Sequence, residues 1–143
     1  MANSLQMRFL AIGLTAFLLS GASVAEDKKG SPEARALIER QLDAFAHDDG
    51  PAAYAIAAPA IKSIFADPNV FLSMVRQQYT PVYRHRSVEF GPVEADTDSM
   101  AQVVTFVDEN NQVWKALYKL ARQPDGSWLI SGCSLVKSDD KST

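Results

Sequence analysis

Met100–Val136 reads MAQVVTFVDENNQVWKALYKLARQPDGSWLISGCSLV, and the fold class turns on this stretch. It divides into three runs rich in β-branched and aromatic residues, Met100–Val107, Gln112–Ala121 and Ser127–Val136. Such residues fit a pleated, half-buried surface. The first break is Asp108-Glu109-Asn110-Asn111, where Asn tolerates the left-handed backbone of a tight turn. The second, Pro124-Asp125-Gly126, is a hairpin signal. In the middle run Trp114, Ala116, Tyr118 and Leu120 alternate with Lys115 and Lys119, so one face is apolar and the other solvated. Antiparallel strands with one face on a core are therefore expected. Upstream, Val82–Phe90 has the same composition and predicts a further strand closed by Gly91-Pro92. Downstream, Lys137–Thr143 reads as a polar tail.

Before the strands the period changes. Ser31-Pro32-Glu33 combines an N-cap, a proline at the first helical position and an acidic residue in the positive first turn. Leu37, Ile38, Gln41, Leu42 and Phe45 then share one helical face. His47-Asp48-Asp49-Gly50 ends that helix, with Asp49 placed to cap the next piece, Pro51–Ala58. Pro59 opens another short piece carrying Ile61, Ile64 and Phe65. Asp67-Pro68 repeats the cap-and-proline device before Val70–Tyr79. Short helices followed by antiparallel strands give an α+β fold. N-terminal short helices pack on a curved antiparallel sheet of about four strands and form a cone with room for a pocket.

The first residues carry a different message. Phe9–Leu19 is an apolar run of 11 residues behind a single basic residue, Arg8. Small residues follow, Ser23 and Ala25 among them, and then the charged Glu26-Asp27-Lys28-Lys29. This is the pattern of an export signal cleaved after Ala25. The run is too short for a stable membrane anchor, which takes about 20 apolar residues. The expected organisation is a signal peptide (1–25), a flexible mature N-terminus (26–30), one α+β domain (31–136) and the polar tail (137–143), in a periplasmic or secreted protein. A chain of 143 residues, 47% hydrophobic, suits one domain with a real core. Its net charge of −3 argues against nucleic acid as a partner. One Cys makes no internal disulfide, and with two His it leaves little for a zinc site. Cys133, among Leu129, Ile130, Leu135 and Val136, reads as buried and inert.

Several segments carry a resemblance: Gln41-Leu42-Asp43-Ala44-Phe45 with Asp48-Asp49, Ala57–Ile61, Phe71–Tyr79 with Pro81-Val82-Tyr83, and Asp125–Cys133. With these the chain resembles a proteobacterial family of exported domains of unknown function. That family lies in the cystatin-like superfamily named for nuclear transport factor two, which also contains ketosteroid isomerase and scytalone dehydratase. The resemblance implies a conical pocket and, by superfamily habit, a homodimer. It implies no activity, since this fold serves unrelated functions.

The candidate chemistry is correspondingly sparse. An isomerase-type site needs an unpaired carboxylate base facing acidic donors across the cone. Tyr54, Tyr79, Tyr83 and Tyr118 offer donors, but the inward face of the Gln112–Ala121 run carries no carboxylate, and Glu89 reads as exposed near a strand end. A dehydratase-type site needs His beside a carboxylate, a setting that neither His47 nor His85 has. His47-Asp48-Asp49 reads as helix termination, so no metal is expected. Arg84-His85-Arg86 is a small basic cluster, joined by Arg76, that reads as a solvated edge or as an anion-binding mouth. No nucleotide or cofactor motif is present. The resulting expectation is a non-catalytic module binding a small apolar or weakly anionic ligand. Tyr54, Tyr79, Trp114 and Tyr118 are the pocket candidates, with Arg76 and Arg84 as anion contacts. The alternative is a structural or interaction domain pairing through its sheet, and an acid/base enzyme ranks third.

Overall fold

The structure, a computed structural model, describes residues 31–141. The export signal, its cleavage point after Ala25 and the segment 26–30 lie outside the described residues. Five helices come first: α1 (Pro32–Ala46), α2 (Gly50–Ala55), α3 (Pro59–Ile64), α4 (Pro68–Gln78) and α5 (Thr80–Tyr83). Four strands follow: β1 (Ser87–Ala95), β2 (Ser99–Val107), β3 (Gln112–Arg122) and β4 (Trp128–Lys141). They pair antiparallel in chain order, so the sheet is a simple meander. Five helices on one curved, open antiparallel sheet make the α+β architecture expected from the sequence.

Local chemistry sets the helix starts. Each helix has Pro in its first positions, where the missing N–H costs nothing. Ser31 Oγ accepts from Ala34 N (3.2 Å), Asp49 Oδ1 from Ala52 N (3.0 Å) and Asp67 Oδ1 from Asn69 N (2.7 Å). The end of α1 is a Schellman motif: Asp48 N donates to Phe45 O (3.1 Å) and Asp49 N to Ala44 O (2.8 Å). Asp48 takes the left-handed position, at φ 54°, that glycine usually fills. Gly50 is buried, and a Cβ there would sit 3.2 Å from Pro68 O, so glycine lets α2 start against α4.

The boundaries of β1 and the end of β4 differ from the sequence reading. Val82 and Tyr83 belong to α5, not to a strand, and β1 begins at Ser87. Pro81 starts a helical turn there, and both side chains bury in the core from it. Gly91-Pro92 does not close β1; it forms a register break between Phe90 and Val93 on this edge strand, where proline removes no internal ladder bond. At the other end β4 continues through Lys141, taking in most of the segment read as a polar tail. Backbone pairing with β3 needs no apolar side chains, and Gln112 Nε2 donates to Ser138 O at 2.6 Å.

The core lies between the helices and the inward sheet face. Ile38, Phe45, Val104, Phe106, Tyr118, Leu120 and Ile130 are fully buried there. Ala57 forms an isolated parallel bridge to Ile130, with Ala58 N donating to Ile130 O (2.8 Å) and Ile130 N to Ile56 O (2.9 Å). That bridge pins the segment before α3 to the start of β4.

Candidate functional site

Within the core the helices and β3–β4 leave an apolar cleft of about 230 Å³. Gln41 and Phe45 come from α1, Ile61 and Ile64 from α3, Phe71, Met74 and Val75 from α4, and Val82 from α5. Tyr79, at the end of α4, faces Tyr118 on β3 and Ile130–Cys133 on β4 across the same space. Ile64, 72% exposed, marks the mouth. A register break between Lys119 and Leu120 leaves Ser131 as an extra residue on β4, and it too lines the cleft.

The polar groups here are few and uncharged. Tyr118 is 1% exposed and its hydroxyl has no hydrogen-bond partner among the described residues. Burial drives its pKa well above the usual phenol range, and neighbouring Cys133 and Tyr79 add to the effect. Gln41 is 4% exposed, and its amide bonds to no described residue. Tyr79 donates to Cys133 O (3.0 Å), and burial, then the nearby thiol, raises its pKa. The Cys133 thiol is pushed up to about 12 by burial, so it stays protonated and a poor nucleophile. Among the described residues, the lining holds no Asp, Glu, His, Lys or Arg.

Of the residues singled out from sequence, Tyr79 and Tyr118 meet in this cleft and the others lie elsewhere. Tyr54 stands behind the wall, its hydroxyl donating to Phe65 O (2.6 Å) and its ring packed on Phe71. Trp114 sits at the far end of β3, where Nε1 donates to Asp108 Oδ2 (2.9 Å). Arg76 and Arg84 are outside the lining and converge instead on Asp48 Oδ1, at 3.3 and 3.0 Å. The Tyr83 hydroxyl donates to the same carboxylate, and both guanidinium groups stack over the Tyr83 ring. Arg84 Nη1 also donates to Phe45 O (2.9 Å). Hydrogen bonding from Arg84, more than any other contact, holds the Asp48 pKa below the usual carboxylate value. Gln41 and Cys133 were missed as lining residues. A glutamine on an otherwise apolar helical face was the available signal for the first.

A family model for a domain of unknown function, DUF4864, matches residues 27–143. The chain belongs to the DUF4864 family. Among solved structures this DUF4864 chain is similar to a nuclear transport factor two-like protein of unknown function from Silicibacter pomeroyi DSS-3. The TM-score is 0.51 at 15% identity, covering 74% of this chain and 93% of that one. At that identity the likeness shows a shared fold. The comparison with curated proteins returns no match. Among the described residues of this DUF4864 member, no helix is long and apolar enough to cross a membrane.

Proposed function

We propose that this DUF4864 protein is an exported, non-catalytic module that binds a small apolar molecule in the cleft between its helices and β3–β4. The observation that carries this reading is a cleft of about 230 Å³ between the helices and the sheet whose lining is almost wholly apolar. An engineered apolar cavity of about 150 Å³ takes up benzene, so this space suits a somewhat larger guest. The lining offers no group to take or give a proton near neutral pH, since its phenols and thiol are held protonated by burial. That favours holding a molecule over transforming it. Export rests on the Phe9–Leu19 run and the small residues before Glu26.

The test is native mass spectrometry of the full chain expressed with its leader and purified gently from a periplasm. The expected spectrum shows a chain beginning at Glu26 together with a discrete small-molecule adduct. A chain still holding Phe9–Leu19 contradicts export. Absence of any adduct, with no stabilisation by apolar probes, contradicts ligand binding.

A second reading, pairing of two copies through the outward sheet face, is favoured by apolar groups on that face, half-buried Val103 and Leu117 and exposed Val136. Val103 and Leu117 sit side by side in register, and Val136, opposite Lys115, is 64% exposed. A doubled mass in the same spectrum, lost in Leu117→Glu, supports it. A single-chain mass at micromolar concentration removes it.

A further inference from the structure

We infer that the cleft selects uncharged molecules bearing one hydrogen-bonding head group, such as a hydroxyl, read by Tyr118 and Gln41. The inference rests on the ligand-binding reading above and names the chemistry of the guest.

Tyr118 is wholly buried, and its hydroxyl has no partner among the described residues, an arrangement that folding alone disfavours. Gln41 brings an amide to the same cleft from the helical wall, nearly as deeply buried and bonded to no described residue. A phenol and an amide can each donate and accept. A guest hydroxyl does both as well, so it can satisfy one wall while accepting from the other. A carbonyl can accept from both donors, whereas a hydrocarbon gives the Tyr118 hydroxyl no partner.

Charge is excluded by what surrounds them. A carboxylate entering the cleft would lose its hydration with no cation in the lining. Arg76 and Arg84 are committed to Asp48 outside it. The lining phenols remain neutral donors, because burial raises their pKa. A guest cation fares no better, since Asp48 is already engaged and no carboxylate lines the walls.

Three probes with one skeleton separate these terms: naphthalene, 2-naphthol and 2-naphthoate, titrated calorimetrically at pH 7 into the full chain purified from a periplasm and stripped of any adduct. 2-Naphthol should bind about tenfold more tightly than naphthalene, the scale of one net hydrogen bond. 2-Naphthoate should bind more weakly than either. Tyr118→Phe and Gln41→Leu should each bring 2-naphthol towards the affinity of naphthalene while leaving naphthalene unchanged or slightly tighter. The wild-type series needs no variant, so a misfolded mutant cannot hide the answer. 2-Naphthoate binding as tightly as 2-naphthol overturns this inference and leaves the cleft as a ligand site. So does 2-naphthol binding no better than naphthalene. Failure of all three to bind overturns the ligand-binding reading itself.

Discussion

Phe45 separates two regions that treat polar groups in opposite ways. Beyond its carbonyl, the Asp48 carboxylate receives Arg76, Arg84 and the Tyr83 hydroxyl, and Arg84 also takes the Phe45 carbonyl. Beside its ring lies the cleft, where the Tyr118 hydroxyl is buried without a partner and the Gln41 amide bonds to no described residue. The first region is a fastening: contacts spanning 28 and 36 residues tie the end of α1 to α4 and to the residue after α5. The second is an opening on the other side of the same residue, lined by none of the clamp's charged groups. Satisfied polar groups account for themselves through stability, whereas the Tyr118 hydroxyl in an apolar wall does not.

The sharpest way to break this division is to remove the residue shared by both regions. Phe45 is 1% exposed and packs on Phe71 and Tyr83. Phe45→Ala should cost about 3–5 kcal/mol, read as a lower urea midpoint at unchanged slope. A much smaller loss would mean that the cleft wall and the clamp do not depend on one packed ring.

A smaller effect is expected at the clamp, which is half exposed and therefore screened. Asp48→Asn keeps a side chain that tolerates the left-handed backbone and removes the charge. It should lower the melting temperature, more at low salt than at high salt. The native pKa of Asp48 lies below its unfolded value. Its contribution is therefore present above the ordinary carboxylate pKa and lost as pH falls through the lowered one. Wild type should lose more stability than Asp48→Asn between pH 5 and pH 3, and equal losses would remove the clamp's electrostatic role. Affinity for an apolar probe should be unaffected by Asp48→Asn at pH 7, provided the fold is intact.

The smallest effect is at His85, whose ring lies 5.1 Å from that of Phe106 and whose pKa burial lowers below the usual value. The folded state therefore favours neutral imidazole, and stability should fall as pH drops through 6.5. Thermal melts at pH 7.5 and 5.5 should show this fall in wild type and a reduced one in His85→Gln. An equal fall in both would assign the pH dependence elsewhere.

Much of this was legible because it is local. Ser31, Asp49 and Asp67 cap helices within three residues of themselves, and each proline follows its cap or opens its helix. The turns at Asn111 (φ 61°) and Gly126 (φ 87°) have the residues their backbones require. Where tertiary burial overrides propensity, the reading failed: Val82 and Tyr83 have strand-like side chains but sit in the turn that Pro81 starts. The clamp was illegible for a different reason, because nothing local pairs Asp48 with Arg84. The cleft is intermediate. The alternation on β3 placed Tyr118 on the inward face, but only the relative positions of helices and sheet admit Tyr79 and exclude Tyr54 and Trp114.

One comparison tests directly whether the orphaned Tyr118 hydroxyl is kept for a guest: calorimetric melts of Tyr118→Phe and wild type, each free of ligand and then saturated with 2-naphthol. Removing a buried hydroxyl with no partner should raise the stability of the free protein, by about 1–3 kcal/mol. The same change should shrink the stabilisation that 2-naphthol confers. A free variant that melts below wild type, with 2-naphthol stabilising both equally, would contradict the account.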